Sequence, residues 1–111
     1  MVCHSTDCQT LSGTAFRSAA FTHEGTFRLL SGELKIYLKT GSSGAKRQQS
    51  FCPECGTPIY SASDEPTPKT HSIRVGSIHQ RDQVVPISQI WTRSEQPWVF
   101  DLGSIPKVEK Q

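Results

Sequence analysis

Apolar and polar residues alternate most cleanly over residues 33–39, where Leu34, Ile36 and Leu38 fall on one face and Glu33, Lys35, Tyr37 and Lys39 on the other. A period of two predicts a half-buried strand there. Upstream, residues 14–22 carry Phe16 and Phe21 with small side chains between them, which reads as a second strand that His23, Glu24 and Gly25 break. After the Gly/Ser turn at 40–44, residues 45–51 return as a polar strand of a hairpin, and 57–62 form a further short strand. Residues 71–78 alternate again around Ile73 and Val75. Between these strands, 63–69 holds Pro66 and Pro68 and is a surface loop, while 9–13 suits a turn or one short helical turn. Two late segments, 84–92 and 97–102, bring Trp91 and Trp98, whose indoles suit a core, a pocket wall or a subunit interface, the last implying a homodimer. The remainder, 103–111, reads as a tail.

The chain of 111 residues suits one domain spanning 1–111. A hydrophobic content of 34% with eight Gly and seven Pro points to a loop-rich, mainly β domain whose small core would gain from a bound metal. The net charge of +2 arises from scattered Lys and Arg, so no nucleic-acid partner is expected. No apolar run approaches the ~20 residues that cross a bilayer, and no charged-then-apolar leader precedes Cys3, so the expected address is the cytoplasm, away from membranes.

The four cysteines change the picture, because they come as two groups. Cys52 and Cys55 flank Pro53 and Glu54 and are followed by Gly56, a turn in which backbone N–H groups can face both sulfurs and glycine supplies a positive φ. This is a zinc knuckle, half of a tetrahedral site. A redox Cys-x-x-Cys would normally open a helix, whereas Gly56, Thr57 and Pro58 lead here into a strand, and disulfides would require an oxidising compartment. Cys3 and Cys8 form the second group, with His4, Ser5 and Asp7 between them. His4 reads first as an exposed histidine near a chain end and Asp7 as a cap for the following turn. Either all four thiols converge on one ion, or the pairs lie apart.

With both groups in view, the chain resembles the glutathione-dependent formaldehyde-activating enzymes, a family that includes centromere protein V. The likeness rests on Cys3, His4, Cys8, Gln9, Ser12-Gly13 and Phe16, then on Ser31-Gly32, Tyr37, the run from Phe51 to Pro58, Arg74 to Gly76, Trp91 and Trp98. It implies a β-tent fold of antiparallel sheets, a structural zinc and a second, catalytic zinc. By that resemblance the metal ligands are Cys3, Cys8, Cys52 and Cys55, and the catalytic positions Cys3, Ser5 and Cys8. Two departures stand out. The family's amino-terminal Cys-x-Cys, partner of the knuckle, is not found before Cys3, and Ser5 occupies the place of the middle thiol of the catalytic cluster. A hydroxyl is a far poorer zinc ligand than a thiolate.

The resemblance implies a carbon–sulfur lyase activity, in which zinc assists addition of a glutathione-like thiol to a small aldehyde such as formaldehyde, or its reversal. Arg17, Arg28 and Arg74 are the cations on offer for the carboxylates of such a thiol. The alternative is a non-catalytic, zinc-stabilised binding domain in which Ser5 marks lost chemistry.

Overall fold

The computed structural model describes residues 1–110. Its strands are β1 (Val2–Cys3), β2 (Arg17–Phe21), β3 (Lys35–Thr40), β4 (Lys46–Phe51), β5 (Pro58–Ser63), β6 (Ser72–Arg74) and β7 (Gln89–Ile90), with one α-helix, α1 (Thr6–Ser12). They form one sheet in the order β3-β4-β5-β6-β2-β1-β7. The best-paired unit is the β3–β4 hairpin, in register from Lys35↔Phe51 to Thr40↔Lys46. Its turn closes where the Gly41 N–H donates to the Ala45 carbonyl at 2.9 Å.

Every neighbouring pair is antiparallel except β1 and β7, which run parallel with Val2 opposite Gln89 and Cys3 opposite Ile90. The expected antiparallel sheets are thus corrected to a single mixed one. A hairpin forces antiparallel pairing, but β7 is reached from β6 through a long connection with 3-10 turns at Val75–Ser77 and Arg81–Gln83, which frees its direction. The strand expected over 71–78 shortens for the same reason, since Val75 already begins a 3-10 turn.

Paired residues on adjacent strands project to the same side, so the register defines two faces. One carries Cys3, Arg17, Ala19, Arg74, Ser72, Ser61 and Gln49, through the pairings Cys3↔Arg17, Ala19↔Arg74, Ser61↔Ser72 and Gln49↔Ser61. Its centre is made of small side chains, with Ala19, Ser61 and Ser72 all buried, so the face is concave and polar. On the other face Tyr60 meets Phe27 edge-on at 5.0 Å between ring centroids, while Phe27 stacks on His71 at 4.3 Å.

Two expectations about burial are overturned. Ile36 and Leu38 are 42% and 40% exposed, because β3 is the edge strand and no second layer covers it. His4 is fully buried, not exposed: β1 is flanked by β2 and β7, and the imidazole sits against Phe16 and Phe100 at 5.8 and 6.1 Å. Of the places offered for the tryptophans the core is not taken, since Trp91 and Trp98 keep more than half of their surface in solvent, while Trp91 does line a pocket. No helix among the described residues is long and apolar enough to cross a membrane.

Candidate functional site

The Cys3 thiol is delivered by β1 and the Cys8 thiol by the first turns of α1, and both are buried. The chain between them turns sharply because Ser5 caps the helix. Its Oγ accepts the Cys8 N–H at 3.2 Å, and at the other end Gly13, at φ +69°, closes the helix with its N–H on the Gln9 carbonyl at 2.9 Å. Gln9 pins the helix to the sheet, donating to the carbonyls of His4 and Ser94 at 2.8 and 2.9 Å and accepting from Gln96 at 2.8 Å. The role of cap expected for Asp7 is therefore taken by Ser5, and Asp7 instead pairs with Lys39 at 3.4 Å.

This geometry brings the two sulfurs to 3.0 Å, with Cys8 donating to Cys3, and leaves Cys3 Sγ 3.4 Å from Ser5 Oγ. Burial pushes both thiols up from their ordinary value. At Cys3 the hydrogen bonds from Cys8 and Ser5, with the positive charge of Arg17, outweigh burial and the net shift is downward. At Cys8 burial and the proton it shares with Cys3 prevail, and its value rises. The pair is thus polarised, with Cys3 the more acidic sulfur.

Both sulfurs open onto a cavity of about 380 Å³ on the concave face, walled by Trp91 and floored by Ser61 and Ser72. Its cations are Arg17, Lys39, Arg47 and Arg74, and its one carboxylate is Asp7. Arg74 is 7% exposed and donates to Gln49 Oε1 at 2.9 Å and to the Ser72 carbonyl at 3.4 Å, while Arg17 reaches the same Gln49 oxygen at 3.2 Å. Burial, then the like charge of Arg17, lowers the Arg74 guanidinium to about 10. His4 turns the other way: its Nε2 is 2.9 Å from Gln89 Oε1 and its buried Nδ1 has no partner in the described residues. Arg28 is exposed and lies off the cavity wall.

The second cysteine pair forms its own turn. Cys52 N–H donates to the Thr57 carbonyl and Gly56 N–H to the Cys52 carbonyl, both at 2.9 Å, with Gly56 at φ +74° as the spacing required. Cys55 is exposed, and the hydroxyl and backbone of Thr57, then Cys52, lower its thiol below the ordinary value.

Among the described residues no three His, Cys, Asp or Glu side chains gather as a metal site, so the four thiols stand as two separate pairs rather than one converged cluster. Cys3 and Cys8 suit zinc in kind, as soft donors close enough to share an ion, but Ser5 spends an oxygen lone pair on the helix cap. These two thiols are the donors the chain could supply to such an ion here. Sequence reasoning singled out both thiol pairs and Ser5, and offered Arg17 and Arg74 only together with Arg28, without choosing among them. It missed Gln49, Lys39 and Arg47, which only strand register brings beside the thiols.

A search of the curated proteins returns no match to the chain. The family model described as glutathione-dependent formaldehyde-activating enzyme matches residues 1–94, which hold both cysteine pairs and every wall of the cavity, and the chain belongs to that family.

Proposed function

We propose that the chain carries out the reversible addition of a glutathione-like thiol to a small aldehyde such as formaldehyde, a carbon–sulfur lyase reaction at Cys3, Ser5 and Cys8. The observation that carries this reading is the polarised thiol pair, sulfurs 3.0 Å apart, at the wall of a cation-rich cavity. In the addition a C–S bond forms, the carbonyl π bond opens and the thiol proton ends on the carbonyl oxygen, so no oxidant or reductant is needed. Cys3 and Cys8 would clamp a zinc ion, which when bound supplies a Lewis acid to hold the incoming thiol as thiolate and to polarise the aldehyde. The chain itself contributes position and charge. Arg17 keeps negative charge favourable at Cys3, the Ser5 cap and α1 hold Cys8 Sγ beside Cys3 Sγ, and Trp91 forms one wall of the cavity. Cys52 and Cys55 hold half of a structural zinc site in the same reading. A cytoplasmic setting, with its thiol pool and reduced cysteines, suits the chemistry.

The test is exchange spectroscopy with carbon-13 formaldehyde and glutathione on zinc-loaded protein. Adduct formation faster than the uncatalysed rate, lost in Cys3→Ser, is expected. A rate equal to that of buffer overturns the proposal.

Ser5 favours a second reading, a binding domain without turnover, because its oxygen already serves the helix as a cap. That reading predicts that glutathione binds while the exchange rate stays at the buffer value.

A further inference from the structure

We infer that Arg74 and Arg17 form a carboxylate subsite beside the thiol pair, so that the cavity takes small thiols bearing a carboxylate and discriminates against neutral ones. The inference rests on the proposed thiol chemistry for the identity of the ligand, and on the cavity alone for the site.

Arg74 lies in the middle of the sheet, on β6, with 7% of its surface exposed. A guanidinium carried that far from water is costly unless an anion compensates it. None does so here. Its partners are the Gln49 side-chain amide and a backbone carbonyl, both neutral, and Arg17 competes for that amide oxygen. Two like charges therefore share a single dipole, and Arg47 and Lys39 add positive charge along the same face. The one carboxylate on the wall, Asp7, sits at the rim in an ion pair with Lys39 at 3.4 Å and, in the described residues, reaches neither arginine. An incoming carboxylate would meet two guanidinium groups, Arg74 buried and Arg17 half-buried, oriented on one amide oxygen and reached by no carboxylate of the described residues, an arrangement in which arginine binds carboxylates well.

Register explains why the subsite belongs with the thiols. Cys3 faces Arg17 across β1 and β2, and Ala19, two residues along β2 on the same side, faces Arg74 on β6. Because Ala19 has only a methyl group, nothing stands between the arginines and the floor, and a ligand anchored there can extend along the cavity to Cys3 and Cys8. Gln49 is the switch point. A glutamate there would satisfy both arginines from within the chain and compete with any external carboxylate.

The test uses full-length protein and S-methylglutathione, a probe that has no free thiol to add to an aldehyde, with its diethyl ester, which lacks both carboxylates and keeps the ammonium group, as the comparison. Calorimetric titration is expected to give binding that weakens with added salt, and that falls about tenfold or more for the ester, for Arg74→Gln and for Gln49→Glu. Gln49→Glu guards against a folding artefact, because it should raise the melting temperature while it abolishes binding. Equal affinity for acid and ester, parent-like binding by Gln49→Glu, or no binding of S-methylglutathione at millimolar concentration would each overturn the subsite. Charge-selective binding without formaldehyde exchange keeps the subsite and removes the proposed reaction; exchange with no charge preference does the reverse.

Discussion

Cys3 and Arg17 face each other across two antiparallel strands, a buried thiol and a guanidinium projecting into the same cavity. The pairing ties sulfur chemistry to strand register. Burial works against the Cys3 thiolate, the hydrogen bonds from Cys8 and Ser5 work for it more strongly, and Arg17 adds a smaller favourable contribution. The rate of Cys3 alkylation by iodoacetamide, read by mass spectrometry across pH, should therefore inflect below the ordinary value of 9.0. Cys8→Ala should move that inflection upward and Arg17→Gln should move it upward by less. An inflection at or above 9.0 in the parent protein would contradict the assignment.

Ser5 gives its Oγ to the Cys8 N–H and thereby starts α1. Replacing it with cysteine exchanges a good helix cap for a third sulfur. Without metal, Ser5→Cys should lose about 0.5–2 kcal/mol of stability, the usual effect of removing a serine cap. With zinc present the order should invert, because a third thiolate completes the protein share of an open zinc centre. Urea unfolding with and without zinc, together with a competitive zinc titration, reads both effects. Unchanged zinc affinity in the variant would show that position 5 does not face the ion.

What could be read from the chain alone follows from how local each signal is. The β3–β4 hairpin and β5 were legible because alternation and the turn around Gly41 to Gly44 act over a few residues. The turn from Cys52 to Gly56 was legible because Gly56 must take a positive φ after the second cysteine, and does. The burial of His4 was not, since it depends on β7 arriving parallel to β1 from 85 residues away to place Gln89 against its ring. Arg17, Arg28 and Arg74 were equivalent as letters. Strand register separates them, bringing Arg17 and Arg74 to one amide oxygen and leaving Arg28 in solvent. Gln49 carries no motif at all, and only its place opposite Ser61 reveals it.

Gly56 offers a clean measure of what the knuckle turn contributes. It sits at φ +74°, yet nothing lies within 4 Å of where a Cβ would stand. Gly56→Ala should thus pay only the backbone cost of a left-handed conformation, about 1–2 kcal/mol, with no steric clash. Denaturant unfolding would detect it, and a neutral result would mean the turn can relax without the glycine. The same substitution should weaken any zinc held by Cys52 and Cys55, because the Gly56 N–H closes the turn on the Cys52 carbonyl.

His71 should make the fold sensitive to mild acid. Its ring stacks on Phe27 at 4.3 Å and meets Tyr60 edge-on at 4.7 Å, and its buried Nδ1 finds no acceptor in the described residues. Burial, then the charge of nearby Lys69, lowers its value from the ordinary 6.5, so the neutral imidazole is the form the fold accepts. Below 6.5 the unfolded chain binds this proton before the folded one does, so stability falls as pH drops from 6.5 through the lowered folded value and then levels off. Above 6.5 the imidazole is neutral in both states and the contribution is constant. Thermal melts between roughly pH 4.5 and pH 7.5, from about two units below the ordinary histidine value to about one above it, should show that loss in the parent protein. His71→Phe keeps an aromatic ring against Phe27 and has nothing to protonate, so it should flatten the same stretch of the profile. A variant that loses stability with acid as steeply as the parent would place the sensitivity on another group.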